Sequence, residues 1–569
     1  MKPTERRPRA GPLRRIAAVA AAGGGVGLLF VVLLVVGSER AAAAVLLLVP
    51  VAVLALARGG GGYIDRHVGR RALAHGLISV WASGMAAIVA PFERAAPPRL
   101  AAGVAALAVV VLGVENVVWA RYPRELAAAG FGGDVDERRR SSGAALVVSC
   151  VAAQLAVTSL VVAGATEEAV TVGFGVVAAV YAAWAVVVMG AAVTRLRHGA
   201  AAMRPVIGAA VVEHAPVILV HFSGALRTMY QLDQWIPHLQ AAGRPMLLVV
   251  REESTFEVVA GRWDVPVVFV GDFPDLDLVV PPSARLAVYV NTATKNNQLV
   301  RFTSLTHIQL HHGDSDKPPS SSKTMRLYDH HIVAGAAAYE RLIGAGIVDG
   351  PDAVSIVGRP QTDSIRRRPI AEGRPCILYA PTWEGYHVDT ALSSLPLSGY
   401  ELVRSIPAHV DLLVRPHPLT GTVDGRLAGV VAAIRDAVAE RGGEFIEPGE
   451  ESLVDSINRA DVLVTDISSV LVDFLATDRP AVVIDVPGLG EDAFRARYPS
   501  AAWAAVVGAD LAGLEAVLAD ALGADTRRPL RAAARAEFLA HVGSAGERFA
   551  GAIRELISRS EVQAELVEP

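Results

Sequence analysis

HIQLHHGDSDK (307–317) and DVLVTDISSVLVDF (461–474) decide how this chain is read. Each sets chemically active side chains just past a short hydrophobic run. The first reads as a strand, His307 to Leu310, that ends in His311, His312 and Gly313, with Lys317 close behind. The second reads as a strand, Asp461 to Val464, followed by Thr465, Asp466, Ser468 and Ser469 at the start of a helix. In alternating α/β folds ligands bind at the carboxyl ends of the strands, and the free N–H groups of a helix start favour phosphate. One stretch therefore offers a base and a cation, the other a seat for an anion.

Outward from these two stretches the pattern repeats. VILVHF (217–222), MLLVV (246–250), PVVFV (266–270), LAVYV (286–290) and HIVAG (331–335) have the continuous apolar character of strands buried on both faces. Between them lie segments such as Leu226 to Ala242, whose apolar residues recur at helical spacing. A second series consists of CILYA (376–380), DLLVRP (411–416), DVLVTD (461–466) and AVVID (481–485), with helices expected near 424–441, 451–460 and 510–523. The Arg- and Pro-containing stretch Ser364 to Pro375 separates the two series. The pattern predicts two Rossmann-like halves, 205–365 and 374–560, facing each other across a cleft.

Before residue 200 the chain has another character. Of the 569 residues 52% are hydrophobic, and the mean hydropathy is +0.39. The excess lies in six apolar segments, roughly 16–36, 41–57, 72–91, 100–119, 143–164 and 169–193. Most approach the ~20 residues that cross a bilayer. Arginines cluster before the first, between the second and third, between the fourth and fifth, and after the sixth, while the alternate connections carry few. By the positive-inside rule both termini and the region after residue 200 are then cytoplasmic. A basic start before an apolar run also describes a signal peptide, but no A-x-A site ends the first segment and further segments follow. The fold class expected is thus an α-helical membrane domain over 1–200, of about six spans, followed by an α/β part of two Rossmann-like halves. A net charge of −4 argues against a nucleic-acid partner. The two cysteines, Cys150 and Cys376, form no disulfide framework.

HHGDSDK resembles the His-Gly-x-x-x-Lys element of the CDP-glycerol:poly(glycerophosphate) glycerophosphotransferases, the teichoic-acid primases and polymerases. The resemblance continues in order through VGRPQTD (357–363), ILYAPTW (377–383), LLVRPHP (412–418) and TDISSVLVDF (465–474), with a weaker echo at GSAGERF (543–549). It covers about residues 215–560 and implies a GT-B architecture for the α/β part, which agrees with the two halves read above. Three positions depart from the family pattern: Glu384 stands where a basic residue is usual, Ile467 where a tyrosine is usual, and Val542 where an acidic residue is expected.

The resemblance implies transfer of glycerol-phosphate from CDP-glycerol to a lipid-linked or wall-polymer acceptor, with release of CMP. Such a reaction removes a proton from a hydroxyl and stabilises charge on the attacked phosphate. His312 is the expected base, since imidazole titrates near neutrality, with Lys317 and His417 as further catalytic residues. Arg415, Thr465, Asp466, Ser468, Ser469, Asp473, Thr382 and Gly358 are expected on the donor side. His417 and Arg415 stand in an Arg-Pro-His-Pro turn whose prolines restrict the backbone. Asp314-Ser-Asp316 and Asp275-Leu-Asp277 have the D-x-D form that holds Mg²⁺ in some nucleotide-sugar transferases. No cofactor or required metal is nevertheless expected, Mg²⁺ being the one ion those pairs leave open. No G-x-G-x-x-G follows a strand, which argues against a dinucleotide. Membrane lipid is the remaining expected partner. Another CDP-alditol or a nucleotide-sugar as donor, or a non-catalytic domain that binds a nucleotide-linked ligand, are the alternatives.

Overall fold

The computed structural model describes residues 125–131, scattered positions from 166 to 190, and 200–567 apart from 371 and 372. The chain divides into two compact units, one of residues 1–124 and 137–202, the other of 125–136 and 203–569. In the first unit the described positions between 168 and 190 are helical. The first five apolar segments expected as spans lie outside the described residues, and the sixth enters them only at those positions. Among the described residues no helix is long and apolar enough to cross a membrane.

The second unit holds two sheets. The first has eight strands: β1 (Leu126–Ala129), β2 (Ile218–Phe222), β3 (Met246–Val250), β4 (Val267–Val270), β5 (Leu286–Tyr289), β6 (Thr306–Gln309), β7 (His330–Val333) and β8 (Val354–Ile356). Their order across the sheet is β1-β4-β3-β2-β5-β6-β7-β8. All neighbours are parallel except β1, which runs antiparallel to β4 with Leu126 opposite Val270 and Ala129 opposite Val267. The second sheet consists of β9 (Cys376–Ala380), β10 (Asp411–Val414), β11 (Glu444–Phe445), β12 (Val462–Thr465), β13 (Ala481–Asp485) and β14 (Ala505–Gly508), in the order β11-β10-β9-β12-β13-β14. From β2 to β7, and again in the second sheet, this is the 3-2-1-4-5-6 order of Rossmann-like folds. The order reverses beside β9 and β12, which opens a crevice at their carboxyl ends.

The strands expected from the sequence form, each within a residue or two of its expected bounds. Their runs of Val, Ile and Leu are buried on both faces, which suits β-branched side chains. Four strands were not expected. β1 reads LAAA, an apolar run without β-branched residues, and lies in a connection between two expected spans; its pairing covers what would otherwise be an open edge of β4. β8, β11 and β14 are short and not fully buried.

The chain does not end in the half where the sequence places its end. Helix α1 (Arg528–Phe538) leads back to the first half, where Ala540 N–H donates to the Ala334 carbonyl at 2.9 Å. Helix α2 (Ala545–Val567) then buries Phe549, Ile553, Leu556 and Ile557 in the core under β2, β3 and β5. Phe549 packs against Trp235 with ring centroids 5.2 Å apart. Burying four such side chains contributes about 1.5–3 kcal/mol each. The boundary expected at 374–560 is therefore corrected: by packing, 545–567 belongs to the first half. Asp363 fixes the crossing by accepting from the N–H groups of Ala545 at 3.1 Å and Gly546 at 2.7 Å. The weak sequence echo at 543–549 falls on this helix start.

Gly358, expected on the donor side, serves the same crossing. It is buried, has φ +88°, and a Cβ there would meet the Ala540 carbonyl oxygen at 2.3 Å. Gly358→Ala should lower stability by about 1–3 kcal/mol, read as a lower melting temperature, while the folded fraction keeps its nucleotide affinity. A loss of nucleotide affinity at unchanged stability would return Gly358 to the binding site.

Candidate active site

The turn after β6 carries the first group of residues. His311 has φ +57°, a left-handed conformation that costs a non-glycine residue roughly 1–2 kcal/mol. Its surroundings over-determine it. The His311 N–H donates to Gln309 Oε1 at 3.0 Å, its carbonyl accepts from Trp235 Nε1 at 2.7 Å, and the His312 carbonyl accepts from Gln234 Nε2 at 2.8 Å. The His311 ring lies against His331, with ring nitrogens 3.4 Å apart. His312, next in the turn, is exposed.

The second sheet supplies the other wall. A Cβ built on Gly313 would lie 2.6 Å from both Cβ and Oγ of Ser469, so the glycine allows the histidine turn to touch the serine motif. Ser469 opens a short helix, α3 (Ser469–Phe474). Ser468 sits at its N-cap in extended conformation, without the side-chain cap bond expected of such a serine, and its hydroxyl lies 3.4 Å from Thr465 Oγ1. Lys317 Nζ donates to Thr382 Oγ1 at 2.7 Å and so links the two halves. His417 stacks on Trp383, with centroids 6.1 Å apart and an interplanar angle of 22°, and meets the edge of Tyr230 from the first half at 5.7 Å. His417 Nδ1 accepts from the Leu419 N–H at 3.1 Å, so the neutral ring carries its proton on Nε2.

His312, Lys317 and His417 thus gather in one place, and their pKa values show it. Burial, then Lys317 and His312, hold His417 down at about 3. Burial lowers Lys317 to about 8, with Asp466 opposing the shift. For His312 the surrounding protein mass, then Arg359 and Lys317, push the value down to about 4. The solvent on its open face works against that depression, and the direction is firmly downward. Apart from Asp466, which is buried behind Thr382, no carboxylate is among the influences on these three basic groups. An anion between them would relieve their repulsion, which is how a phosphate site is built.

The donor-side expectations divide. Ser468 and Ser469 are partly open beside Gly313, and Thr382 is buried at the end of Lys317. Thr465 and Asp466 have no exposed surface and reach a ligand only through other groups. Asp466 Oδ2 accepts from the N–H groups of Thr382 at 2.9 Å and Ser394 at 3.1 Å, which clamps the loop after β9. Burial pushes its pKa up to about 6. Asp473 is also corrected. It is buried and paired through both oxygens with Arg359, at 2.6 and 3.2 Å, so it does not face the donor. Arg415 stands on the same half as the serine motif rather than across the cleft from it. Its guanidinium donates to Ser456 Oγ at 3.2 Å and to the Glu451 carbonyl at 2.9 Å. The cations that reach the second half from the first are Lys317, at Thr382, and Arg359, at Asp473.

Sequence reasoning missed Arg359, Trp383 and Tyr230. The Arg in VGRPQTD was the available signal for the first; aromatic walls have no spacing rule. The three departures from the family pattern find places. Glu384 accepts from the N–H groups of Gly421 at 3.0 Å and Val423 at 2.9 Å, ordering the loop after the Arg-Pro-His-Pro turn. Ile467 is a buried core residue and Val542 packs on the same core. Both D-x-D pairs are ion-paired with arginine: Asp314 and Asp316 share Arg341, Asp275 pairs with Arg204 and Asp277 with Arg301. Among the described residues no group of three or more His, Cys, Asp or Glu is placed to hold a metal.

Gly313→Ala should force the turn off Ser469. A misplacement of this size costs about a hundredfold in turnover. Combined with Ser469→Gly, it should regain the melting temperature that it loses alone. Unchanged turnover and stability in Gly313→Ala would show that the two motifs do not meet in solution.

A family model described as CDP-Glycerol:Poly(glycerophosphate) glycerophosphotransferase matches residues 282–487. Among solved structures, the wall teichoic acid polymerase TagF is similar at 14% identity over 64% of this chain and 97% of that chain, with a TM-score of 0.42. UDP-GlcNAc 2-epimerase from Neisseria meningitidis, bound to UDP-GlcNAc, is similar at 12% identity over 59% of this chain and 99% of that chain, with a TM-score of 0.40. No curated protein matches the chain.

Proposed function

We propose that this chain, whose residues 282–487 belong to the CDP-glycerol:poly(glycerophosphate) glycerophosphotransferase family, transfers glycerol-phosphate from CDP-glycerol to a polymer or lipid-linked hydroxyl at the seam between its two halves. The observation that carries the reading is the meeting of His312 and Lys317 from the first half with Ser469, Thr382 and His417 from the second. His312 takes the proton of the acceptor hydroxyl. The acceptor oxygen bonds to the glycerol-bearing phosphorus as the bridging P–O bond breaks, and CMP leaves with that electron pair. Lys317 and the Nε2–H of His417 oppose the charge that gathers on the phosphate oxygens. The N–H groups at the start of α3 face the same place.

His312→Ala should lower turnover by about 10²–10⁴-fold while CDP-glycerol binding, read by calorimetry, stays near wild type. Near-full turnover would take the base role away from His312. The pH profile supplies an independent check. An imidazole held at about 4 in the free protein is ready as a base at neutral pH, and a bound anionic donor favours its charged form and raises its pKa. The acidic limb of kcat should therefore lie at higher pH than that of kcat/KM. Coincident limbs would place the donor phosphates away from His312.

The same reading places the N-terminal segments in the cell membrane with the α/β halves on the cytoplasmic side, next to a leaflet that holds an acceptor too apolar to diffuse. The arginine asymmetry supports it. So does β1: the connection between the fourth and fifth apolar segments pairs with the first sheet and must lie on that sheet's side. Val172, Val176 and Val186, all helical, are 63%, 53% and 71% exposed, as lipid contact requires. Reporter fusions after Gly132 and Gly199 should report cytoplasm, and one within 164–168 the outside. An outside signal after Gly199 would remove the proposed location.

A further inference from the structure

Arg359 has no part in the chemistry described above, yet it joins the two halves through Asp473. It follows β8, and Pro360 stiffens the backbone behind it. Its side chain is 6% exposed and that of Asp473 is 5% exposed. Nε and one terminal nitrogen are spent on Asp473, at 2.6 and 3.2 Å. Arg359 also lines a small pocket with Trp235, His311, Gly313, Asp314 and Arg341. One side chain thus touches the helix that begins with Ser469 and the space behind the histidine turn.

We propose that Arg359 is a positioning residue for the transfer: clamped by Asp473 across the seam, its guanidinium fixes the His311–Gly313 turn against Ser469 and keeps a positive charge beside His312. A bidentate fork between planar groups sets orientation as well as distance, which a lysine at this position would not do. The charged and titratable groups around His312 are Lys317 from its own turn, His311 beside it, Arg359 from the loop after β8, and His417 from the second half. The nearby carboxylates are ion-paired, Asp314 with Arg341 and Asp473 with Arg359 itself, so the charge that reaches His312 is that of the clamped pair. Arg359 is therefore a fixed charge that keeps the imidazole unprotonated, and after burial it is the strongest such influence on His312. The proposal rests on the reading of His312 as the base, and its test reads the imidazole directly as well as through activity.

The experiment follows carbethoxylation of His312 in the purified full-length protein by diethyl pyrocarbonate across pH, read by mass spectrometry, beside the pH dependence of kcat/KM. In Arg359→Gln the midpoint for His312 should move up by about one pH unit, with the acidic limb of kcat/KM following it. Arg359→Lys keeps the charge and loses the fork, so its midpoint should stay near wild type while kcat falls roughly tenfold. Asp473→Asn should behave as Arg359→Lys does. A midpoint in Arg359→Gln that equals wild type overturns the proposal. Should that variant fail to melt cooperatively, unchanged kcat in both Arg359→Lys and Asp473→Asn overturns it instead. A shifted midpoint with full turnover in His312→Ala leaves the placement of Arg359 standing and removes only the base role of His312.

Discussion

The buried ion pair of Arg359 with Asp473 is the contact on which the site depends. Two Rossmann-like halves would otherwise meet through loops, whose positions are loosely set. A buried pair is costly to desolvate and becomes stable only when both partners are matched in geometry. That requirement makes it selective, because it forms at one approach of the halves and leaves an uncompensated charge at any other. Gly313 against Ser469 and Lys317 on Thr382 lie at the same seam and need the same approach. The returning C-terminal chain adds a second constraint from behind. With Ala540 on Ala334 and Asp363 capping α2, the connection spans the halves once more.

At that seam the protein gathers basic groups and keeps acids out of reach. Lys317 lowers the readiness of both His312 and His417 to be charged, and His312 lowers that of His417. Asp466 sits behind Thr382 with no exposed surface, while Asp473, Asp314 and Asp316 are matched with arginines. The result is a site short of negative charge in a place where water is partly excluded. Electrostatic attraction to a phosphate is strengthened there, and neutral imidazoles are available as proton acceptor and donor at the same pH.

Positions that depart from the family pattern do not disturb this arrangement. Glu384 gathers the backbone N–H groups of 421 and 423, which holds the loop following His417. An acidic side chain suits that task better than a basic one, because the groups to be satisfied are all donors. Ile467 turns into the core, where a tyrosine hydroxyl would need a partner. The acidic pairs that resemble metal ligands are drawn into ion pairs with arginine, and in the case of Asp316 also onto the Ser500 N–H at 2.7 Å.

The sequence by itself determined the strands, the two halves and the residue types at their carboxyl ends. Continuous apolar runs admit few other readings, and the order of the motifs carried His312, Lys317, His417 and the serines. It also determined Arg359 and Asp473 as residues without revealing that they pair, since 114 positions separate them. Local patterns report which face of an element is buried and carry no information about which distant element buries it. Only the tertiary structure decided that 126–129 completes the first sheet and that 545–567 packs on the half it does not follow. It likewise moved Asp473, Gly358 and Asp466 from expected ligand contacts to the supports behind them. Side chains of that kind look alike in a sequence, because a carboxylate that holds a loop and one that would hold a ligand differ only in what stands opposite.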